Sequence, residues 1–272
     1  MEEIFSEERP EDGNISCNKI EFAKLNYIEL DTLPNLTGFC KSVRIDFPQL
    51  RELCIQSLRK LRTLCPNERD LLFSGNDDSV MQCLFTEKIA FGGVKKLEII
   101  ELDSVTNIWC QQPTTSWFSE LEVLVVMSCD TLRNLFSHSI AKVLVQLKHM
   151  TVEECVMMQE VIAEDYEIGQ AEINESLFPQ LKVLELRRLP LLESFYHMIK
   201  GLELPSLEDV TLYNCPRMKE FSGGRLSMPM LKCVKRDHSI YRIDGIIYTV
   251  EHLFNEKQWR LYLITHPHYA KI

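Results

Sequence analysis

Three cysteines, Cys129, Cys155 and Cys215, are the residues whose type and spacing come closest to a chemical site. Cysteine thiols act as redox groups, nucleophiles or metal ligands when they are accessible and their pKa is low. These three, however, occupy the same position of a longer apolar pattern, which predicts that they are buried. Buried cysteines behave as small, inert apolar residues, so we expect a structural role for all three.

Motifs for catalysis are missing from the chain. It has no G-x-x-x-x-G-K-[ST] loop for nucleotide phosphates, no G-x-S-x-G turn for a nucleophilic serine and no H-E-x-x-H helix for zinc. The histidines are dispersed, and His266 and His268 lie near a chain end that we expect to be loose. An enzyme would need titratable groups that converge in a pocket, and the sequence shows no such cluster. We therefore predict no catalytic residue, no cofactor and no metal ion.

The candidate residues lie on copies of one repeated pattern. With the first residue of each copy as position 0, apolar residues recur at +3, +6, +8, +11, +14 and +17, as in FPQLRELCIQSLRKLRTL. Positions +3, +6 and +8 are Leu, Ile, Val or Met in every copy, and the three cysteines are at +11. Repeats 1 to 7 begin at Phe22, Phe47, Phe91, Phe118, Leu144, Phe178 and Leu204. A period of about 25 residues predicts a repeat architecture.

The pattern L-x-x-L-x-L-x-x-[LC]-x-x-L is that of a leucine-rich repeat. Its L-x-L pair alternates between apolar and variable positions, which predicts a short strand with one buried face. One repeat alone cannot bury enough apolar surface to offset the entropy of ordering its backbone, but stacked repeats share a continuous core. We predict an α/β solenoid: a leucine-rich-repeat horseshoe with a parallel β-sheet on the concave face and an irregular or short-helical convex side.

The repeats divide the chain into three parts. Residues 1–21 form an acidic N-terminal lead-in, residues 22–237 form the solenoid, and residues 238–272 form a C-terminal capping tail. A degenerate eighth repeat begins at Met228, where Arg236 occupies the core position +8, and an unpaired charge is costly to bury there. Two insertions lengthen the repeat spacing, and the second, residues 160–175, is acidic and predicts a mobile loop.

Composition restricts the partners and the compartment. The formal net charge is −10, which makes direct nucleic-acid binding unfavourable. No stretch of about 18 apolar residues is present, so we expect no membrane span. The N-terminus is acidic without an apolar segment, unlike a signal peptide. Ten scattered cysteines without a Cys-x-x-Cys pair argue against a disulfide scaffold and for a reducing compartment, the cytoplasm or the nucleus.

The concave face is the predicted site of function. Its solvent-facing positions are +5, +7 and +9, and most of them are polar. Repeat 4 differs, since Val123, Val125 and Met127 all face outward, and Ile100 of repeat 3 should lie beside Met127. An exposed apolar patch with a polar rim is typical of a binding site. We predict a protein-binding surface made of Ile100, Val123, Val125, Met127, Lys96, Glu98, His149, Glu153, Glu185 and Arg187. A covering loop or partner domain would explain the patch equally well.

Several repeats resemble those of a known family. The segments FPQLKVLELRRLPLLESF, LPSLEDVTLYNCPRMKEF and FSELEVLVVMSCDTLRNLF are similar to the C-terminal leucine-rich repeats of plant coiled-coil nucleotide-binding disease resistance proteins. The alternation of an L-x-x-L-P-x-L repeat with a C-x-x-[LM] repeat is typical of that class. The resemblance covers about residues 22–260.

The resemblance implies a protein-recognition role in plant defence. Such repeats are expected to bind a pathogen effector, a guarded host protein or a nucleotide-binding receptor module. This chain lacks the P-loop of the ATPase module that precedes the repeats in that family, so nucleotide binding is not implied and contact with such a module would occur in trans. The chain would then be a repeat-only fragment, a truncated paralogue or a partial gene product.

Three other functions remain as alternatives. A generic intracellular leucine-rich-repeat adaptor, such as a substrate arm for ubiquitin ligation, would need an F-box-like helical segment before the repeats, and residues 1–21 are too short for one. An extracellular receptor would need a signal peptide and paired capping cysteines. The third is an enzyme, for which the sequence offers no cluster of titratable groups. Apart from these three functions, a truncated, nonfunctional receptor paralogue is a further alternative.

Overall fold

A concave sheet of nine strands organises the protein. The computed structural model describes residues 3–5, 19–40, 44–65, 83–86, 89–109, 118–163, 174–197, 201–237 and 239–242. Eight parallel strands follow each other in chain order in this sheet: Tyr27–Asp31, Glu52–Gln56, Lys96–Ile100, Val123–Met127, His149–Glu153, Val183–Arg187, Asp209–Tyr213 and Cys233–Arg236. Each begins at position +5 of the repeat that the sequence pattern defines, and each pairs with the strands of the neighbouring repeats.

Most concave strands alternate between core and surface as the repeat pattern predicts. Cys54 and Thr211, at the outward position +7, are exceptions, because both are buried. In Val183–Arg187, Leu184 and Leu186 are fully buried, whereas the other three side chains are partly exposed. Neighbouring strands pair without a shift, so the same position of each repeat lies in one row across the sheet. A side chain at +5, +7 or +9 therefore has known neighbours in each strand that pairs with its own, and among the described strands that of repeat 1 pairs on one side only.

A left-handed residue ends most concave strands. Position +10 has a φ between 50° and 57° in all seven full repeats, at Thr32, Ser57, Glu101, Ser128, Glu154, Arg188 and Asn214. This conformation costs a non-glycine residue about 1–2 kcal/mol. It turns the amide N–H toward the +9 carbonyl of the next repeat, as in the 3.0 Å bond from Glu154 N to Arg187 O. One further hydrogen bond per repeat offsets the cost.

The convex side contains a short helix and several short parallel ladders. The helix His138–Val143 is capped by Ser137, whose Oγ accepts a 3.4 Å hydrogen bond from Ile140 N. The ladders outside the concave sheet are Glu3–Phe5 with Gly38–Cys40; Lys19–Glu21 with Arg44–Asp46 and Ile89–Ala90; Phe136–Ser137 with Glu160–Ala163 and Ser194–Tyr196; and Asn174–Ser176 with Gly201–Glu203 and Leu226–Ser227. No helix within the described ranges has the length and hydropathy needed to cross a membrane.

Phenylalanine rings at position 0 form a stack through the first four repeats. The ring centroids of Phe22 and Phe47 are 5.3 Å apart, those of Phe47 and Phe91 are 5.9 Å apart, and those of Phe91 and Phe118 are 5.4 Å apart. Neighbouring rings are nearly parallel, with interplanar angles of 12° to 22°. Aromatic contacts add to the burial of apolar surface, so this stack couples repeats 1 to 4.

A disulfide corrects the expectation drawn from the scattered cysteines. Cys40 and Cys65 form a disulfide with a Cα–Cα distance of 5.2 Å and a sequence separation of 25 residues. Both occupy position +18, of repeats 1 and 2, so stacking of the repeats brings them together. Scatter along the sequence was the wrong criterion, because residues one repeat apart are spatial neighbours in a solenoid.

The second insertion is shorter than the sequence indicated. Its two ends belong to the strands Glu160–Ala163 and Asn174–Ser176, because both pair with strands of neighbouring repeats. Residues 164–173, where the mobile acidic loop was predicted, lie outside the described residues.

The eighth repeat ends the parallel stacking. Its strand Cys233–Arg236 continues the concave sheet, and Ser239–Arg242 then pairs with it antiparallel. The rest of the predicted capping tail lies outside the described residues. Arg236 is half-buried at position +8, and its Nη1 is buried without a hydrogen-bond partner among the described residues.

We expect Arg236→Met to raise the free energy of unfolding by about 1 kcal/mol, because the variant removes an unpaired buried donor and keeps an apolar stem of similar length. Denaturant unfolding followed by circular dichroism would measure this. Arg225→Met, at an exposed position in the same part of the solenoid, is the control and should change stability by less than about 0.5 kcal/mol. A loss of stability in Arg236→Met alone would show that the guanidinium makes a favourable interaction.

Candidate protein-binding surface

The concave sheet brings the predicted apolar residues together in two adjacent strands. Ile100 lies directly opposite Met127, as the sequence predicted. Val123 and Val125 precede Met127 on the same face of the strand Val123–Met127, and all four side chains are partly exposed. We call Ile100, Val123, Val125 and Met127 the apolar patch. Adjacent strands are about 4.8 Å apart, so the patch is continuous.

Polar residues border the apolar patch along both neighbouring strands. Val123 lies between Lys96 and His149, and Val125 lies between Glu98 and Thr151. Met127 has Ile100 on one side and Glu153 on the other. Lys96, Glu98, His149 and Glu153 therefore occupy the rim for which the sequence selected them. Glu185 and Arg187 are farther away, because they lie opposite Thr151 and Glu153 and are two strands from the patch.

Rim charges beside the patch and toward the C-terminus are paired within the protein. Arg187 Nη2 lies 2.8 Å from Glu185 Oε1, and the hydrogen bond raises the pKa of Arg187. Glu153 pairs with Arg188. Lys96 Nζ lies 2.9 Å from Glu98 Oε2, and this hydrogen bond raises the pKa of Lys96. These pairs hold their side chains against the sheet and leave the apolar patch between them.

The concave face of repeats 1 and 2 is acidic, and the sequence reasoning did not include it in the site. Glu29, Asp31 and Glu52 are exposed on adjacent strands, and we call them the acidic row. Tyr27 Oη donates a 2.8 Å hydrogen bond to Glu29 Oε2, which raises the pKa of Tyr27 to about 12. Burial, followed by the charges of Glu98 and Glu29, raises the pKa of the Cys54 thiol between them. The sequence does not distinguish these three residues from Glu98, Glu153 and other acidic residues at outward positions.

The cysteines at position +11 are buried, as predicted. Cys129 Sγ lies 3.4 Å from Met127 O, and Cys215 Sγ lies 3.5 Å from Leu186 O. Burial raises the pKa of Cys215 to about 11. The hydrogen bond with Cys155, together with burial, raises the pKa of Cys129. Cys129 and Cys215 are therefore protonated near neutral pH and poor nucleophiles.

The described part of the chain contains no group of three or more His, Cys, Asp or Glu residues that could hold a metal ion. His266 and His268 lie outside the described residues.

Ion pairs between repeats stabilise the edge where the concave strands begin. Glu122 bridges Lys95 of the preceding repeat and Lys148 of the following one, at 2.8 Å and 2.7 Å. Hydrogen bonds from Lys148 and Lys95 lower the pKa of Glu122 to about 2. All three residues are at position +4, so the bridge follows the repeat rows beside the apolar patch and helps to fix the spacing of its strands.

Comparisons with known proteins agree with this architecture. A family model described as plant disease resistance protein RPS2-like, leucine-rich repeats, matches residues 70–156 and 93–222. The Arabidopsis thaliana protein At4g10780, named for an inferred role in disease resistance, is 22% identical over 206 residues. That alignment covers 74% of this chain and 22% of the relative, so the chain spans about a fifth of the relative's length. No solved structure matches significantly. Since the family model matches more than half of the chain, the chain belongs to the RPS2-like leucine-rich-repeat family of plant disease resistance proteins.

Proposed function

We propose that this chain is a protein-recognition module of plant innate immunity. It binds a pathogen effector, a guarded host protein or a nucleotide-binding receptor module in trans, and it does so through the concave face in the cytoplasm or nucleus. Residues 22–237 form the recognition solenoid, between the lead-in 1–21 and the capping tail 238–272. The observation that carries the proposal is the apolar patch, since a cluster of apolar side chains on a mostly polar sheet face is typical of a protein interface.

The geometry of the sheet supports this proposal. Val125 is at the centre of the patch, and its strand hydrogen-bonds to a neighbour on each side over five residue pairs. A partner would therefore meet a surface whose backbone is already ordered, and preorganisation lowers the entropic cost of binding. In protein interfaces most of the binding energy usually comes from a central cluster of residues, and the surrounding rim contributes less. The apolar patch with its charged rim has this arrangement.

We expect the double substitution Val125→Glu and Met127→Lys to abolish binding of the specific partner, because it places two charges in the apolar patch without changing the net charge. Proximity labelling or pull-down from plant tissue would compare this variant with the unchanged chain. Circular dichroism must first show that the variant is folded.

The chain offers a matched control at the turn after the strand His149–Glu153. Val156 and Met157 are 41% and 39% exposed outside the concave strands, so Val156→Glu with Met157→Lys makes the same chemical change elsewhere. The control should keep the partner. An unchanged partner list for the patch variant, or no specific partner for any of the baits, would contradict the proposed concave-face function.

A further inference from the structure

The carboxylates around the apolar patch are not neutralised evenly. Glu185 and Glu153, in repeats 6 and 5, pair with Arg187 and Arg188. Glu29, Asp31 and Glu52 of the acidic row make no ion pair within the described part of the chain. The concave face therefore carries unpaired carboxylates in repeats 1 and 2, beyond the Lys96–Glu98 pair of repeat 3, and paired carboxylates in repeats 5 and 6. Lys96 lies opposite Glu52, between the acidic row and the patch. A partner that crosses the patch meets different chemistry on the two sides.

An exposed aromatic ring accompanies the acidic row. Tyr27 is 46% exposed, and it is paired in register with Glu52 and hydrogen-bonded to Glu29. An ammonium or guanidinium group is attracted both to carboxylates and to the face of an aromatic ring. The raised pKa of the neighbouring Cys54 thiol has the charges of Glu98 and Glu29 among its causes, which agrees with a negative potential at this position. Aromatic and acidic side chains together favour a cationic partner.

We propose that the partner segment seated on the concave face is cationic, with an apolar anchor on the apolar patch and lysine or arginine side chains over Tyr27 and the acidic row. This inference rests on the proposed function and specifies the chemistry of its partner. The strands of repeats 1 and 4 are three neighbours apart, or about 14 Å. An extended chain covers that distance in about four residues. The basic residues therefore lie within about five residues of the anchor.

Charge complementarity selects this occupant over others. A nucleic acid would place phosphates against the acidic row, and a chain of net charge −10 repels them. A partner segment without charge would leave the three carboxylates desolvated and unpaired beneath it, which is unfavourable. A cationic protein segment satisfies both the apolar patch and the acidic row.

A peptide selection would test the inference. The full chain would be immobilised and screened against a displayed library of random peptides of roughly 12 residues, long enough to span both surfaces. Recovered peptides would be synthesised with a fluorophore, and their Kd values would be measured by anisotropy at low and high salt. The expected peptides contain an apolar residue with Lys or Arg within about five positions, and salt weakens their binding.

Two sets of variants separate the inference from the proposed function. Glu29→Gln, Asp31→Asn and Glu52→Gln together should weaken binding about tenfold, since each exposed ion pair contributes only a few-fold. The control variant removes the same number of negative charges at exposed positions outside the concave strands, through Asp103→Asn, Glu120→Gln and Asp130→Asn. It should change the Kd less than about twofold.

The Val125→Glu, Met127→Lys variant decides among the remaining outcomes. One outcome would overturn the cationic-partner inference and leave the proposed function standing. In that outcome, the recovered peptides contain no basic residues, they bind the acidic-row variant with unchanged Kd, and they do not bind the Val125→Glu, Met127→Lys variant. Peptides that bind all variants equally would overturn both, because the concave face would not be the binding surface. Failure to recover any peptide would also count against both, since an exposed apolar and acidic surface should retain short cationic sequences.

Discussion

Replacing Phe91 with alanine is expected to lower the free energy of unfolding by about 3–5 kcal/mol. The ring is 3% exposed, and its centroid lies 5.9 Å from that of Phe47, 5.3 Å from that of Phe85 and 5.4 Å from that of Phe118. Its removal leaves a cavity in the part of the core that joins repeat 2 to repeat 4. The surrounding strands cannot close this cavity without breaking their zero-shift pairing.

The damage should not spread evenly through the solenoid. Each repeat contacts only its neighbours, so weakening repeat 3 uncouples repeats 1 and 2 from the rest. Hydrogen exchange followed by mass spectrometry should show loss of protection in Tyr27–Asp31 and Glu52–Gln56, while Val183–Arg187 keeps its protection. The acidic row lies in these two strands. Phe91→Ala should therefore weaken the binding of a cationic partner more than the binding of a partner held by the apolar patch alone.

Two controls define what would contradict this expectation. Phe91→Leu keeps most of the apolar volume and should cost roughly 1–2 kcal/mol. Phe22→Ala acts at the end of the ring stack, where the side chain is partly exposed, and should cost less than Phe91→Ala. A uniform loss of protection across all concave strands in Phe91→Ala would show that the solenoid unfolds as one unit, contrary to nearest-neighbour coupling.

The positions of the concave strands were predictable because buried and exposed side chains alternate in them. Leu184 and Leu186 must point inward while Glu185 points outward, and only an extended strand places residues in this way. Once the repeats stack so that equal positions lie side by side, the neighbours of each outward residue in the adjacent strands follow as well. Ile100 and Met127 share position +9 of consecutive repeats, so their contact required no information beyond the repeat starts.

Features that depend on backbone contacts between repeats could not be predicted from the sequence in this way. Position +10 holds Thr, Ser, Glu, Arg or Asn rather than Gly, so residue type did not indicate the left-handed conformation that Glu154 and its equivalents adopt. The conformation follows from the hydrogen bond to the next repeat, which is a tertiary cause. The short convex ladders have the same origin, because they pair residues about one repeat apart rather than neighbours along the chain.

The candidate site was predictable in its apolar half and not in its acidic half. Val123, Val125 and Met127 are unusual at outward positions, and that contrast identified them. Glu29 and Glu52 are ordinary at outward positions, where most residues are polar. Only the pairing of the other carboxylates with Lys96, Arg187 and Arg188 showed that the acidic row is different.

Loss of the Cys40–Cys65 disulfide is expected to lower the free energy of unfolding by about 3 kcal/mol, because a crosslink across 25 residues restricts the unfolded chain by about that amount. The double substitution Cys40→Ala and Cys65→Ala would show the effect in denaturant unfolding under oxidising conditions. Both sulfurs are fully buried, so the unchanged protein must be unfolded and refolded in reductant to give the reduced form. That form should be close to the variant in stability.

Cys155→Ala is the matched control, since Cys155 is also fully buried but free. It should cost about 1 kcal/mol or less, independently of reductant. Equal stability of the oxidised and reduced unchanged protein would show that the crosslink contributes nothing beyond packing. If the expected difference is found, the N-terminal repeats of this chain are less stable in a reducing compartment than under oxidising conditions. In a reducing compartment Cys40 and Cys65 are thiols, and they contribute only the packing of small apolar groups. The acidic row belongs to those same two repeats, so the redox state would alter how firmly it is held beside the apolar patch.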